Sequence, residues 1–468
     1  MSESLESAIN AAGGPIEFLR NRTARAHTLP VPAEHTNWQE EQRAWRDTVA
    51  LMDQSHHMTD LFLRGPDALR LLSDLGVNSF KNFGTDRAKQ LIVCTSEGYY
   101  IGDIIVFHLP DGTYNLVGRE IVMDWVQFHL ETGDYHATAQ RDENTAVRQK
   151  GKDPVFYRYE LQGPNANALV SQAIGGEVPD VRFFHVATFT IAGHEVHALR
   201  HGMAGQPGYE LFGPWADGAD VLAALLEAGE GLELKRVGAK AYATANVSSG
   251  WIPPTLPGIF SGESTRAFRE WLPVDNIGAL GGSLNYDRIE DYYLTPFDLG
   301  YDNVVAFDHD FVGREALEKV AAGPRRKKVS LVWRPEDVGR AFSTLFDPSG
   351  QRAKLITLPK ARYALYQKDA VLVGDRLVGV SMDAGYISNE QVFLSLAPFA
   401  PPWHRPRTTS TPAKPTGTND VASAAHLRLL GLRPHQTVAG RDRQPRGHRP
   451  QHPPVAGRRD FLSRAARS

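Results

Sequence analysis

Residues 51–125 constrain this chain more than any other stretch, because strand, turn, helix and meander signals follow one another there without a gap. The stretch opens with Met52-Asp53-Gln54-Ser55-His56-His57-Met58, and the alternating run Asp60-Leu61-Phe62-Leu63 predicts a strand. Gly65-Pro66-Asp67 predicts a turn. Leu71, Leu72 and Leu75 predict a helix over 68–75 with Asp67 at its N-cap. Two more strands are predicted over 90–94 and 101–107, a hairpin turn at Asp111-Gly112, a strand over 114–117, and a helix from about Glu120. This is an α+β pattern, and such units commonly hold ligands at their strand ends.

A length of 468 residues allows two to four domains with ample core. Apolar content of 42% and charged content of 22% are those of an ordinary soluble protein. Cys94 is the single cysteine and cannot form an internal disulfide, which places the expectation in a reducing cytoplasm. The first residues have no basic region followed by an apolar core, so no signal peptide is read. No apolar run approaches the roughly 20 residues of a membrane helix, so no membrane partner is assigned. No P-loop is present and no G-x-G-x-x-G follows a strand, which excludes the usual nucleotide and dinucleotide sites.

The expected organisation is an N-terminal extension (1–50), two related α+β subdomains (51–150 and 151–322), a small C-terminal β unit (323–397) and a tail (398–468). The two subdomains share a turn-helix signal, Gly65-Pro66-Asp67-Ala68 and Gly163-Pro164-Asn165-Ala166, at a spacing of roughly 100 residues. In the extension, residues 4–11 read as a helix stopped by Gly13-Gly14-Pro15. A second helix, 40–45, takes Thr36 or Asn37 as its cap. Residues 183–186 and 187–191 read as strands, and 313–320 as a helix before Gly323-Pro324. The net charge is −3, but from Pro401 onward twelve Arg and one Lys stand against three Asp, a net +10 with ten Pro. Three readings fit that tail: a basic arm for nucleic acid, a solvated tail with no partner, or an out-of-frame translation of a GC-rich gene. The last is preferred, because the change comes directly after the strand-like run Val392 to Ala397, and no nucleic-acid partner is assigned.

The order of these pieces resembles the folate-dependent aminomethyltransferase family, the T protein of the glycine cleavage system. The family's D-x-S, G-P-D/E-A-L, G-x-x-x-D-D and V-x-N blocks are similar to Asp53-Gln54-Ser55, Gly65-Pro66-Asp67-Ala68-Leu69, Gly98 to Asp103 and Val117-Gly118-Arg119. The resemblance covers about residues 15–397 and implies two α+β subdomains around a central folate cavity plus a small C-terminal β-barrel, here truncated. Gly102 stands where the family has its first, catalytic Asp, and Arg119 where it has Asn. His56-His57 and Arg119 look instead like the tetrahydrofolate-dependent O-demethylases of vanillate, syringate and 3-O-methylgallate.

That resemblance implies tetrahydrofolate as cofactor and a methoxylated aromatic acid as substrate. It implies Gln54, His57, Arg119 and Trp251 as substrate-binding residues and Tyr242 as catalytic. It implies Glu210, Phe184 and Arg200 on the folate side, Arg200 and Glu210 bounding the segment similar to the family's R-x-G-Y-T-G-E-x-G-F/Y-E block. The chemistry is consistent: a guanidinium suits a benzoate carboxylate, a carboxylate suits a pterin's N–H and amine, and an unperturbed tyrosine near 10 matches a leaving phenol. Plainer roles stand beside these: a surface ion pair for Arg119, a solvated strand end for Glu210, core packing for Phe184, a backbone hydrogen bond for Tyr242. His56 and His57 are not assigned to a metal, since neighbours on a strand point apart and no ligand spacing accompanies them. The alternatives in function are aminomethyl transfer, demethylation of a sulfonium or N-methyl substrate, or folate binding without turnover.

Overall fold

The structure is a computed structural model that describes residues 3–23, 30–253, 255–348, 350, 352–361 and 363–399. The tail beyond Phe399 lies outside the described residues.

Two sheets organise the molecule. The first joins β1 (Val49–Asp53), β7 (Phe156–Gln162), β8 (Val186–Ile191), β9 (His194–Arg200), β10 (Gly208–Pro214) and β11 (Leu234–Val237) in the order β11-β1-β7-β10-β9-β8. The second joins β2 (Thr59–Arg64), β3 (Ala88–Cys94), β4 (Tyr100–His108), β5 (Tyr114–Gly118) and β6 (Thr138–Asp142) in the order β3-β4-β5-β2-β6. Side chains alternate across a strand, so each sheet has two different faces. In the first sheet Val49, Leu51, Tyr157, Tyr159, Leu161, Tyr209 and Leu211 pack on the helices Ala166–Ile174 and Gly218–Ala228. In the second, Leu61, Leu63, Leu91, Val93, Ile104, Val106 and Leu116 join a core shared with the helices Ala68–Leu75 and Glu120–Thr132. Burying a Leu or Val on such a face contributes about 1.5–3 kcal/mol. The opposite faces carry polar residues and meet each other.

The domain boundaries expected from the sequence are crossed at several places. β1 pairs with β7 and β11, so the strand leading into the 51–150 block belongs to the other sheet. Residues from Val247 to Leu317 pack in the core behind the second sheet rather than with β7–β11. Leu5, Phe18 and Leu19 of the extension enter that same core. Apolar residues are buried where a surface needs covering, whatever their position along the chain.

Local signals fared unevenly. Ser4 caps the helix Leu5–Ala11 and Asn37 caps the helix Trp38–Asp47, each accepting from a backbone N–H of the first turn. Asp67 occupies the N-cap position without that bond; its carboxylate accepts from His136 N at 2.8 Å and from Arg70 at 3.2 Å. Residues 183–185 are not a strand: Phe184 has φ +61°, and the strand starts at Val186. The C-terminal unit contains β13 (Lys327–Val332), β14 (Lys360–Ala361), β16 (Asp369–Val373), β17 (Arg376–Ile387) and β18 (Val392–Phe399); a short β12 (Leu280–Gly281) pairs with β15 (Tyr366–Gln367). The order is β13-β18-β17-β14 with β16 on β17, a path that does not close into a ring among the described residues.

Candidate active site

The polar faces of the two sheets build the site. Gln54 follows β1, and Arg158, Glu160 and Gln162 alternate along β7, while Glu210 lies opposite Glu160 on β10. Asp60 on β2 and Asn115 on β5 come from the other sheet. The D-x-S block has a local reason: Asp53 Oδ1 accepts from Ser55 N at 3.0 Å, and Ser55 Oγ accepts from Arg158 N at 3.0 Å. That turn carries Gln54 and His57 onto the site.

Arg158 is almost fully buried and ties the sheets together. Its Nη1 donates to Glu210 Oε1 at 3.1 Å, and its Nη2 to Asp60 Oδ1 at 2.7 Å and Asn115 Oδ1 at 2.8 Å. The rings of Phe107 and Phe212 lie 5.3 and 5.1 Å from the guanidinium carbon, inside cation–π range. Phe184 packs in the same apolar cluster as Phe107 and Phe212 and meets the ring of His201 edge-on at 5.3 Å. Nothing in the sequence singled out Arg158. Its signal was a charged residue at an even position of a strand whose odd positions are apolar.

Tyr242 ends the short helix Ala239–Tyr242, and its Oη lies 2.7 Å from His57 Nε2, the rings crossing edge-on at 5.0 Å. Burial pushes His57 down to about 4, partly offset by Asp53, so its ring is neutral at pH 7. Burial also holds the Tyr242 hydroxyl well above 10; the charges of Glu160 and Glu210 add to this, and a hydrogen bond from Gln54 opposes it. The close match between an unperturbed tyrosine and a leaving phenol therefore does not hold in this setting. Tyr242 keeps its proton and acts as a hydrogen-bond donor until substantial charge has gathered on its partner.

Glu160 is a second residue that sequence reasoning missed. It is fully buried and accepts from Gln54 Nε2, Gln162 Nε2 and Met203 N, the last at 2.7 Å. Burial pushes it up to about 8 against those donors, with Glu210 adding to the rise.

Arg119 and Trp251 sit in a second neighbourhood. A cavity of about 470 Å³ is lined by Arg119, Tyr100, Asp103, Thr255 and Tyr366 among others. The Arg119 side chain has no hydrogen-bond or ion-pair partner among the described residues, so the plainer alternative, a surface ion pair, is not seen there. Trp251 Nε1 donates to Tyr301 Oη at 3.1 Å, and Tyr301 donates to Asp103 Oδ2 at 2.9 Å. Tyr100 and Gln90 also bond Asp103. Gly102 beside it faces Val122, and a Cβ there would run into the Val122 methyl.

Arg200 is placed away from Glu210. It is the register partner of Tyr209, with its guanidinium carbon 4.9 Å from that ring and Nη1 donating to Gly208 O at 3.1 Å. Tyr209 and Glu210 point to opposite faces, so Arg200 belongs to the helix-covered side. His56 is engaged with Thr145 Oγ1 at 3.0 Å. The structure thus gathers Tyr242, His57, Gln54 and Glu210, sets Arg119 at the cavity with Trp251 linked to it through Tyr301 and Asp103, puts Phe184 in the wall around Arg158, and leaves Arg200 outside.

Two polar-faced sheets thus clamp a buried layer of charged and amide side chains. Residues 14–252 match the GCVT N-terminal domain family. The chain is 47% identical over 412 residues to a syringate O-demethylase of a Sphingobium species (strain SYK-6), covering 87% of this chain and 89% of that protein. It is 28% identical to a sesamin methylene transferase of a Sinomonas species, covering 68% and 69%. It is 26% identical to an aminomethyltransferase of Streptomyces avermitilis, covering 66% and 74%. Among solved structures, the glycine cleavage system aminomethyltransferase T from Bartonella henselae superposes with a TM-score of 0.54 at 17% identity, covering 80% of this chain and 86% of that one, which shows the fold. The chain belongs to the GCVT family, within which it shares most of its length with an O-demethylase.

Proposed function

We propose that this protein is a tetrahydrofolate-dependent O-demethylase acting on methoxylated aromatic acids of the syringate, vanillate or 3-O-methylgallate type. The observation that carries this reading is the buried Tyr242–His57 pair, 2.7 Å apart, on a scaffold 47% identical to a syringate O-demethylase. The residues fit a folate. Glu210 spends one oxygen on Arg158, and its Oε2 has no protein donor among the described residues, which leaves an acceptor for a ring N–H or amine. His201 Nδ1 is buried and unpartnered nearby in the chain. Bound tetrahydrofolate supplies the ring nitrogen that accepts the methyl group.

The chain's own residues do the rest. Arg119, on the cavity that Tyr242, His57, Gln54 and Glu210 do not line, offers a charge-assisted fork for the substrate carboxylate. His57, neutral, donates from Nε2 to Tyr242 Oη and leaves the hydroxyl proton for the aryl oxygen. As the methyl–oxygen bond breaks, its electron pair goes to that oxygen, and Tyr242 stabilises the charge and then passes its proton, which would be replaced by the proton that methylation releases from the folate nitrogen. Most of the rate comes from alignment of donor and acceptor. Gly102 favours demethylation over aminomethyl transfer, because the catalytic Asp of the latter has no room beside Val122.

The test is mass spectrometry of protein incubated with tetrahydrofolate and each of the three acids. Demethylated acid together with methyltetrahydrofolate is expected. Folate binding without product would turn the assignment toward a different methyl donor or an inactive binder.

A further inference from the structure

Resting on the role given to Tyr242 above, we propose that Glu160 is a positioning residue that holds a proton in the working enzyme and so sets the charge Tyr242 faces. Glu160 and Glu210 are directly opposed in the register of β7 and β10, and both are buried. Three buried carboxylates, Asp60, Glu160 and Glu210, share this layer with one guanidinium. Arg158 spends Nη1 on Glu210 and Nη2 on Asp60 and Asn115, which leaves Glu160 with neutral N–H donors alone. An ionised carboxylate without a cation in such a place is costly, and like charges on opposed residues make it worse.

The amides beside it allow the proton. Gln162 is fixed, since its Oε1 accepts from Ala204 N at 2.9 Å. The Gln54 amide lies between Glu160 and Tyr242, bonded to both. Amide oxygen and nitrogen are assigned from their surroundings. With its oxygen turned to a protonated Glu160, Gln54 still has its NH₂ in the site. The groups facing Glu160 are Gln54 from the segment after β1, with Asp53 and His57 beside it, Arg158 and Gln162 along β7, Glu210 from β10, the Met203 amide, and Tyr242. Asp60 acts through Arg158. Ionisation of Glu160 adds a negative charge to a site where charge already has to develop on the leaving oxygen, which slows the step.

Glu160→Gln fixes the neutral form. Between the unfolded carboxyl's ordinary value and about 8 the folded chain binds the extra proton, so the parent loses stability as pH rises through that window and the Gln variant does not. Two readouts follow. The alkaline fall of kcat is expected to move up by about one pH unit or more in Glu160→Gln. The melting temperature of the variant relative to the parent is expected to climb between pH 5 and pH 8, whether or not the chain demethylates anything. An unchanged alkaline limb, or a melting difference flat with pH, overturns the proton on Glu160. If the parent turns over none of the three acids while the melting difference climbs, the functional reading falls and the proton stays. If the variant does not fold, infrared spectroscopy of the parent decides: a protonated-carboxyl band at pH 7 that is lost by pH 9 supports the proposal, and its absence overturns it.

Discussion

Arg158 and Asp60 meet at 2.7 Å although they belong to different sheets. With Glu210 and Asn115 they form the buried bridge on which the two polar faces are aligned. Removing one member leaves uncompensated charge rather than merely a lost contact. Arg158→Met is expected to cost about 3–5 kcal/mol in denaturant unfolding, because it strands Asp60 and Glu210 together. A loss below about 1 kcal/mol would mean the bridge does not hold the sheets.

Tyr242→Phe removes one hydroxyl and keeps the ring on His57. We expect kcat to drop by roughly 10²–10⁴, the usual contribution of a positioned acid, with folate affinity largely intact by calorimetry. Loss of folate binding instead would place Tyr242 on the cofactor side.

Arg119 lines the cavity without a hydrogen-bond or ion-pair partner among the described residues, so its replacement should cost little stability. Arg119→Met is expected to raise KM for carboxylated substrates by roughly 10-fold or more, the worth of a charge-assisted hydrogen bond. The methyl ester of the same acid is the control, and its KM should hardly move. Equal effects on acid and ester would remove the carboxylate from Arg119.

Lys360 and the buried Asp383 pair at 2.6 Å, while Asn246 donates to Asp383 and accepts from Lys360 at 2.9 Å. Asn246 also bonds the carbonyl of Trp251, so the C-terminal sheet grips the segment between Tyr242 and Trp251. Asp383→Ala is expected to destabilise the chain by about 3–5 kcal/mol and to expose that segment to limited proteolysis. Protection equal to the parent's would show the grip to be dispensable.

Acid should weaken the fold through its histidines. Burial depresses His57, His129 and His201 to about 4, from ordinary values near 6.5. Between those values the unfolded chain binds more protons, so stability is fully present above about pH 6.5 and is lost as pH falls toward 4. His129→Gln, on the helix Glu120–Thr132 and outside the site, should flatten part of that fall in a melting series. An unaltered slope would show that His129 does not carry it.

Much of the fold could be read along the chain. The apolar positions 61, 63, 71, 72 and 75 alternate and then recur at helical spacing, and the strand and helix appear where those periods demand. Asn37 and Ser4 cap because a short side chain ahead of an apolar helix can reach a first-turn amide. Asp67 shows the limit of that rule: the same residue type finds His136 N and Arg70 instead, partners 69 and 3 residues away, and no local rule ranks those against its own helix. In the site, Tyr242, His57 and Glu210 were named from motif likeness, while Arg158 and Glu160 carried no motif and became visible only as residues on the polar face of β7.

By itself the sequence determined periodicity, turns and residue chemistry, because these depend on neighbours within a few positions. In β7 Tyr157, Tyr159 and Leu161 alternate with Arg158, Glu160 and Gln162, which gives the strand two different faces. Only the tertiary structure decided what that second face meets. Pairing of β1 with β7 and β11 moved Gln54 beside Glu160, packing of sheet on sheet brought Asp60 to Arg158, and register set Glu210 against Glu160. Those contacts join residues roughly 50 to 200 positions apart. Their pKa values follow from the burial and charge that such contacts create, which no window along the chain contains.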